Sequence, residues 1–473
     1  MKNINPSRSA FAPFLIFCLA CTVRVLYNVT VAKGYAPLFD AQNYRNIGLN
    51  MLYLHHYCPP NQQQTLGCLA GRAPLWPAII AVLAWIFGPS TLYPRLFFCL
   101  VGSGTCTMLY FFARDLWGKR IALITGLLAA VYVGLFLYDG WLYTESLFTF
   151  LQLVFCYALF RFQCTQHYRW AVISGITIAL ASLTRPNGVA LIVFVVVWAA
   201  LLLWKHRFSR RQALTVTLVN GLLAVSLIAP WTIRNYEATH QFIPVAVGSG
   251  AVLSGSYNDT ALHPNAKNDT SWMPANSPMK QSMWINLQDR GLWVSTTQTK
   301  PLLDLEHHSD TDAYRTSRAV DWIRHHLSSM PYLLSLHFVN TWIPYTSENG
   351  LPMVQFPTRI SSIIVWDMLW YIYPIILLLA TLGLIMTWKR WKQELLVVYL
   401  CLLLTVGLNI ALYGSSRFRA PIEPFLILLT GGCIWWCKHH LLTSWRFRPG
   451  PLSQSAHSLR DEQEEIHKSE INL

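Results

Sequence analysis

The chain has 473 residues, of which 53% are hydrophobic and only 12% carry a charge. Soluble domains average about 25% charged residues, and the apolar residues here form runs long enough to span a bilayer. These features exclude a soluble globular protein and predict an all-α polytopic membrane protein. The formal net charge of +14 is spread over short loops between apolar runs, which is typical of membrane topology rather than of nucleic-acid binding.

About ten apolar segments suit membrane helices of some twenty residues each. Their predicted bounds are 11–31, 93–113, 120–138, 143–162, 169–184, 188–204, 212–229, 363–388, 395–412 and 421–437. If the N-terminus is cytoplasmic, the connections that alternation places on the same side are all rich in Lys and Arg. The positive-inside rule therefore predicts that both termini are cytoplasmic and that the first segment is a retained helix.

Two apolar stretches do not fit as crossings. Counting residues 72–90 as a span would move every basic loop to the outside, so we predict a helix lying at the outer interface. Residues 330–345 are too short and too polar to span. We thus predict a membrane domain over 1–437, with a first outer loop at 32–92 and a long outer loop at 230–360. A cytoplasmic, largely disordered tail follows at 438–473.

Two acids stand at predicted outer ends of spans. Asp40 is the sole acid between residue 1 and residue 114, and it begins the stretch DAQNYRNIGLNML. It suits the N-cap of a helix, and it equally suits a general base at the membrane surface. Glu145, in GWLYTESLFTF, lies where the third and fourth spans meet. A carboxylate at the mouth of an apolar helix is either wetted at the interface or functional.

Arginines join the same predicted face. They are Arg185 in LTRPNG, Arg234 in APWTIRNY, and Arg417 with Arg419 in GSSRFRAP. The planar guanidinium group suits phosphate oxygens, although any one of these side chains could instead extend to lipid headgroups. Several arginines converging with two acids favour a binding site.

Cys58 and Cys68 share the first outer loop. The other cysteines lie in or beside predicted spans, where a free thiol behaves as a small hydrophobic group. Because the outer compartment is oxidising, we predict a disulfide between Cys58 and Cys68 that stabilises this loop.

The chain resembles the family-39 glycosyltransferases of the GT-C fold, which include protein O-mannosyltransferases and lipid A aminoarabinose transferases. The strings that carry the resemblance are FDAQNY, GRAPLWPAIIAVLAWIFG, YTESLF, LTRPNG, PWTIRNY and SSRFRAPIEP. The resemblance implies a GT-C fold of about ten membrane helices with interfacial helices on the outer face. It also implies an inverting transferase that takes a sugar from a polyprenyl-phosphate carrier.

The resemblance implies roles for individual residues. Asp40 matches the acid that accepts the proton of the acceptor hydroxyl, and Glu145 matches an acid that orients a substrate. Arg417 and Arg419 match arginines that stabilise the departing lipid phosphate. The residues expected to line the same cavity are Arg185, Arg234, Asn235 and Tyr44.

The implied partners are a polyprenyl-phosphate-linked sugar, an acceptor lipid, polysaccharide or protein, and the bilayer. The predicted location is a bacterial plasma membrane with the site on its extracytoplasmic face. We expect no obligatory metal, because no His or Cys spacing ties a ligand to an acid; a divalent metal is left open. The alternative is a transporter or flippase of lipid-linked saccharides. Transporters place charges in mid-membrane, whereas the acids here cluster at one surface.

Overall fold

A computed structural model gives the fold. It describes residues 11–37, 39–58, 69–262, 308–344, 359–390, 394–412 and 414–446. Within these residues every regular element is a helix. In chain order the α-helices are α1 (Phe11–Val29), α2 (Phe39–Tyr53), α3 (Leu75–Phe87), α4 (Leu92–Trp117), α5 (Lys119–Val131), α6 (Val133–Phe136), α7 (Glu145–Thr165), α8 (Tyr168–Thr184), α9 (Ala190–Trp204), α10 (Arg210–Thr239), α11 (Ser249–Ser256), α12 (Asp259–Leu262), α13 (His308–His325), α14 (Met330–Trp342), α15 (Arg359–Met386), α16 (Leu396–Leu412) and α17 (Glu423–Arg446).

The predicted spans all coincide with helices, and the protein is a multi-pass membrane protein. Seven helical segments in the described residues are long and apolar enough to cross a bilayer. Helix α5 and residues 133–140 meet at a bend of 62°, and counted together as one broken span they give an eighth candidate crossing. The two remaining predicted spans are α8 and α16, apolar helices of 17 residues each.

The interfacial helices pack beside the bundle. At 13 residues α3 is about 20 Å long, too short for a hydrocarbon core of about 30 Å. It lies close against α2 at Gly48, where a Cβ atom would come within 2.7 Å of the Pro77 carbonyl oxygen. This close approach holds α2, and with it Asp40, against one end of the bundle. The second short stretch is α14, also 13 residues long.

The centre of the bundle is formed by α7 and α17. In the most apolar stretch of each segment, 72% of the residues are buried in α7 and 78% in 417–440, which contains most of α17. The corresponding share is 28% in both α1 and α10. The outward faces of α10 carry exposed Leu214, Leu222 and Val225, as expected of side chains in contact with lipid tails. Residues at the ends of α7 and α17 are therefore held by neighbours on all sides.

One end of the bundle is closed by ion pairs and aromatic rings. Asp115, near the end of α4, accepts a hydrogen bond from Arg161 of α7 at 2.6 Å. Arg390, after α15, lies 4.9 Å from the ring centre of Trp117 and 4.8 Å from that of Trp435 in α17. The ends of α4, α7, α15 and α17 thus meet at one end, the one that the basic loops predict to be cytoplasmic.

Two sequence predictions reach beyond the described residues. The long outer loop is described only as 230–262, 308–344 and 359–360, and the tail only as far as Arg446. Helix α17 continues past residue 437 to Arg446. The division into a membrane domain and a tail stays a prediction.

Candidate active site

The opposite end of the bundle gathers two carboxylates from distant parts of the chain. Asp40 lies in the first turn of α2, and Glu145 is the first residue of α7. Both positions suit an acid, because a helix N-terminus carries partial positive charge. A 3₁₀ helix, Arg417–Ile422, arrives beside them immediately before α17.

Arg417 bridges the two acids. It donates from Nε to Glu145 Oε1 at 2.5 Å and from Nη1 to Asp40 Oδ2 at 3.2 Å. Its guanidinium carbon also lies 4.2 Å from the centre of the Tyr143 ring. The Arg417 side chain is 4% exposed, so both ion pairs lie in surroundings where the effective dielectric constant is low and charges interact strongly.

Two further arginines join them. Arg72 donates from Nη2 to Asp40 Oδ1 at 2.6 Å, and Arg185 donates from Nη1 to Glu145 Oε1 at 2.8 Å. The guanidinium of Arg72 also lies over the ring of Tyr44, at 5.7 Å from its centre. We name the group the arginine–carboxylate cluster and define it as Asp40, Arg72, Glu145, Arg185 and Arg417.

Arg72 is the member of the cluster that was not among the predicted site residues; it begins the stretch 72–90, for which we predicted only a helix lying at the outer interface. Its position follows from the packing of α3 on α2, which brings the segment before α3 next to the start of α2. The signal available in the sequence was a single arginine before the predicted interfacial helix. That signal did not indicate which acid Arg72 would contact.

The cluster has a buried end and an open edge. Glu145 is fully buried, and its Oε1 atom accepts from two guanidinium groups while Oε2 has no donor within the described residues. A buried acceptor without a donor costs about 1–3 kcal/mol, so this oxygen suits a hydroxyl of a bound ligand. The side chains of Asp40 and Arg72 are 24% and 36% exposed and form the open edge.

Electrostatics keep Asp40 ionised. Burial by itself raises the pKa of the Asp40 carboxyl, but the charges of Arg72 and Arg417 outweigh it and lower that pKa to about 2. Burial raises the pKa of Tyr44, which faces the same charges. With three arginines and two acids, the cluster has one net positive charge and suits an anionic ligand.

Comparison with known proteins identifies the fold in which this cluster lies. Residues 71–233 match the family model described as dolichyl-phosphate-mannose-protein mannosyltransferase. The apo structure of the Archaeoglobus fulgidus oligosaccharyltransferase superposes with a TM-score of 0.53 at 14% identity, over 93% of this chain and 52% of that one. Its complex with zinc and sulfate gives 0.52 at 12% identity, over 91% and 49%.

The fold is the GT-C fold. The predicted fold class and family resemblance are therefore confirmed. ArnT from Cupriavidus metallidurans, bound to undecaprenyl phosphate, matches with a TM-score of 0.38 at 16% identity, over 90% of this chain and 78% of that one. No curated protein sequence matches. The chain spans about half the length of the archaeal oligosaccharyltransferase.

Arg419 lies outside the arginine–carboxylate cluster of this GT-C chain, although it was expected to bind phosphate together with Arg417. It is fully buried and donates from Nε to Glu423 Oε1 at 2.8 Å and from Nη1 to the carbonyls of Thr341 and Ile343, each at 2.9 Å. Its guanidinium carbon lies 3.8 Å from the centre of the Tyr373 ring. These contacts join the 3₁₀ helix to α14, α15 and α17, so we leave Arg419 out of the proposed phosphate site.

Arg234 and Asn235 also lie outside the cluster. Arg234 donates to the Leu69 carbonyl at 2.5 Å and lies over the ring of Tyr57. Asn235 is buried, and its amide donates to the Ile243 carbonyl at 3.0 Å. These contacts hold Tyr57 and Leu69 against α10, so we leave Arg234 and Asn235 out of the arginine–carboxylate cluster.

Asp139 stands close to Glu145 in sequence but belongs to another buried pair. It accepts from Arg24 Nε of α1 at 2.6 Å, and neither side chain is exposed. The pair lies against Gly102 of α4, where a Cβ atom would overlap with both side chains. It fixes the turn that leads into α7 and therefore the position of Glu145.

The cluster does not suit a divalent metal. Both acids already accept guanidinium N–H groups, and three positive charges repel a cation. Within the described residues no group of three or more His, Cys, Asp or Glu side chains could hold a metal ion. The described residues therefore contain no donor set that corresponds to the zinc of the archaeal complex.

The first outer loop contains a disulfide. Cys58 is disulfide-bonded, and the nine free cysteines do not include it. Cys68 lies outside the described residues, so its pairing with Cys58 stays a prediction.

Proposed function

We propose that the protein is an inverting glycosyltransferase that moves a sugar from a polyprenyl-phosphate carrier to an acceptor hydroxyl on the extracytoplasmic face. The observation that carries the proposal is the meeting of Asp40, Glu145 and Arg417 at one end of a GT-C bundle. A transferase of this kind needs a proton acceptor and positive charge at the leaving oxygen. The arginine–carboxylate cluster supplies both.

Charge supports a monophosphate-linked donor. A sugar joined to a prenyl chain through one phosphate is a phosphodiester with a single negative charge, which balances the net positive charge of the cluster. Transfer releases a phosphate monoester of charge close to −2, while the proton received by Asp40 raises the charge of the cluster to +2. The site therefore remains neutral on both sides of the reaction.

The position of each residue in the cluster indicates its role in the proposed reaction. Asp40, at the open edge, accepts the proton of the acceptor hydroxyl. Arg417 and Arg185 stabilise the charge that develops on the phosphate as the bond to the sugar breaks. Glu145 accepts a hydrogen bond from a sugar hydroxyl through Oε2, which has no donor in the described residues.

The step balances in atoms and charge. The acceptor oxygen forms a bond to the anomeric carbon of the sugar, and its proton moves to Asp40. The bond between the anomeric carbon and the phosphate oxygen breaks, and the electron pair leaves with that oxygen. Because attack occurs opposite to the leaving group, the configuration at the anomeric carbon inverts.

The proposed location follows from the helix ends. The cluster lies at the bundle end opposite to the basic loops, which the positive-inside rule places in the cytoplasm. The proposed site is therefore extracytoplasmic, with both termini in the cytoplasm of a bacterial cell. There the donor reaches the cluster sideways from the membrane.

A deletion strain tests the function. Mass spectrometry of its envelope should show one glycan lacking a sugar and one polyprenyl-phosphate sugar in excess. Wild-type protein and Arg45→Gln should restore the glycan, whereas Asp40→Asn should not. Arg45 is a matched control, since it lies in α2 but donates to the Pro89 carbonyl. An unchanged glycan and lipid profile in the deletion strain would refute the proposal.

The same strain separates the transferase from a transporter. Loss of a transferase leaves the accumulated sugar lipid on the outer face, where periodate added to intact spheroplasts oxidises it. Loss of a flippase leaves it on the cytoplasmic face, protected until the cells are lysed. Protection in intact spheroplasts would favour the transporter.

A further inference from the structure

Asp40 is held on both of its oxygen atoms. Oδ1 accepts from Arg72 at 2.6 Å and Oδ2 accepts from Arg417 at 3.2 Å. Arg417 is itself shared with Glu145. In this arrangement neither oxygen of Asp40 is presented to an incoming hydroxyl without competition from a guanidinium group.

In this arrangement Asp40 is a weak general base. A base works best when the pKa of its conjugate acid lies near the operating pH, and the two arginines hold the pKa of Asp40 far below that, at about 2. The carboxylate is ionised but accepts a proton only weakly.

The geometry of the reaction requires these contacts to change. Attack and departure take place on opposite faces of the sugar, so the sugar must lie between the proton acceptor and the phosphate. Arg417 touches Asp40 directly. It cannot keep that contact and also bind the phosphate on the far side of the sugar.

We propose that Arg72 and Arg417 form a clamp on Asp40 that the donor phosphate opens by taking over both guanidinium groups. Arg72 thus has two roles: it holds Asp40 before the donor arrives, and it binds the phosphate afterwards. The carboxylate becomes a competent proton acceptor only in the donor complex, so the donor binds before the acceptor. This inference rests on the proposed function, since it assigns the phosphate to the same cluster.

The exchange is chemically balanced. Phosphate and carboxylate both accept paired N–H groups from a guanidinium, so the phosphate replaces the contacts that Asp40 gives up. The charged and titratable groups that act on Asp40 or share its arginines come from several elements. They are Arg72, Arg185, Arg417, Glu145, Tyr44 and Tyr143.

The clamp predicts proton uptake when a phosphodiester binds. Freed from the arginines, Asp40 regains a pKa near the ordinary value of about 3.9, and at pH 4 it then binds about 0.4 proton. Before binding, it holds almost none. Because the bound state has the higher pKa, affinity for the diester rises as the pH falls through this window.

The probe is the methyl diester of a C15 prenyl phosphate, added to the purified full chain in lipid nanodiscs. A diester keeps one negative charge throughout the pH range, so any proton taken up binds to the protein. Calorimetry at pH 4 in two buffers of different protonation enthalpy gives the uptake. We expect about 0.4 proton for the wild type.

Variants identify the groups. Asp40→Asn should abolish the uptake, and Arg72→Gln should reduce it, because in that variant Asp40 is already partly released. Arg72→Lys should restore most of it by replacing the charge. Arg45→Gln, which removes a charge from α2 without touching Asp40, should match the wild type.

The outcomes separate the clamp from the function. Binding without proton uptake, uptake that persists in Asp40→Asn, or failure of the diester to bind would each overturn the clamp, even if the deletion strain shows sugar transfer. Uptake that vanishes in Asp40→Asn would support the clamp, even if no sugar lipid accumulates in that strain and the proposed function fails.

Discussion

Arg417 and Arg419 stand two residues apart in one 3₁₀ helix, and the structure directs them to different regions. With three residues per turn, the side chains at positions i and i+2 point about 120° apart around the helix axis. Arg417 faces the arginine–carboxylate cluster and is shared by Asp40 and Glu145. Arg419 faces the bundle and is enclosed by Glu423 and the ring of Tyr373.

The two regions differ in charge balance and in access to water. The Arg419–Glu423 pair matches one positive with one negative charge, and Tyr132 donates to the second oxygen of Glu423 at 2.8 Å. The arginine–carboxylate cluster has an excess positive charge and an edge where Asp40 is 24% exposed. Charge excess and an open edge, rather than residue type, therefore distinguish a candidate site from a structural ion pair.

The largest expected effect is on the proton acceptor. Asp40→Asn should lower sugar transfer by about 10²–10⁴-fold, the usual contribution of a general base, while the thermal melting temperature stays near that of the wild type. Transfer rates and melting curves of the two purified proteins check this. A rate close to the wild-type rate would mean that another residue is the base. The arginine–carboxylate cluster would then no longer differ in function from the Arg419–Glu423 pair.

The next effect separates the two arginines. Arg417→Gln should lower transfer by about 10²–10³-fold, as for loss of one donor to a developing charge. Arg419→Gln should leave the rate per folded molecule within a few-fold of wild type. Initial rates normalised to folded protein, as judged by gel filtration, give the ratio. Equal losses in both variants would mean that the division between the regions is wrong.

Stability should show the reverse order. Removing Arg419 leaves Glu423 buried with an uncompensated charge, so Arg419→Met should cost about 3–5 kcal/mol. Replacing both partners in the double variant Arg419→Met with Glu423→Leu should recover much of the lost free energy of unfolding. Thermal unfolding in detergent measures both. A double variant no more stable than the single one would show that the pair does more than balance charge.

The smallest effect tests the other structural pair. Gly102→Ala places a methyl group against Arg24 and Asp139, and overpacking of this kind costs about 1–3 kcal/mol. We expect a modest fall in melting temperature. The transfer rate should fall only if the change displaces Glu145. The control is Gly221→Ala, because a Cβ atom at Gly221 meets nothing within 4 Å. Equal melting temperatures for the two variants would remove the proposed packing constraint.

Much of the fold was predictable because hydropathy and loop charge act locally. Each predicted span needed only its own apolar residues, and the basic loops decided the exclusion of residues 72–90, which contain α3. Asp40 and Glu145 were predictable as candidates because a carboxylate beside an apolar helix is costly without a reason.

The partners of charged residues were not predictable in the same way. Whether Arg417 or Arg419 joins the cluster depends on the rotational position of each residue in a short 3₁₀ helix, which two arginines separated by one residue in the sequence leave open. The pairing of Arg72 with Asp40 depends on how α3 packs on α2. Likewise, Asp139 lies close to Glu145 in sequence, yet Arg24 of α1 determines its role.

The contact between Arg417 and Asp40 joins positions 377 residues apart, and this distance has a consequence for biogenesis. Helices enter the membrane in the order of their synthesis, so both acids are in place long before the ribosome makes their shared guanidinium. Until the segment that precedes α17 is inserted, neither acid has Arg417 to share and the arginine–carboxylate cluster is incomplete. If the proposed function is right, a nascent chain is inactive until the bundle has closed around its central helix.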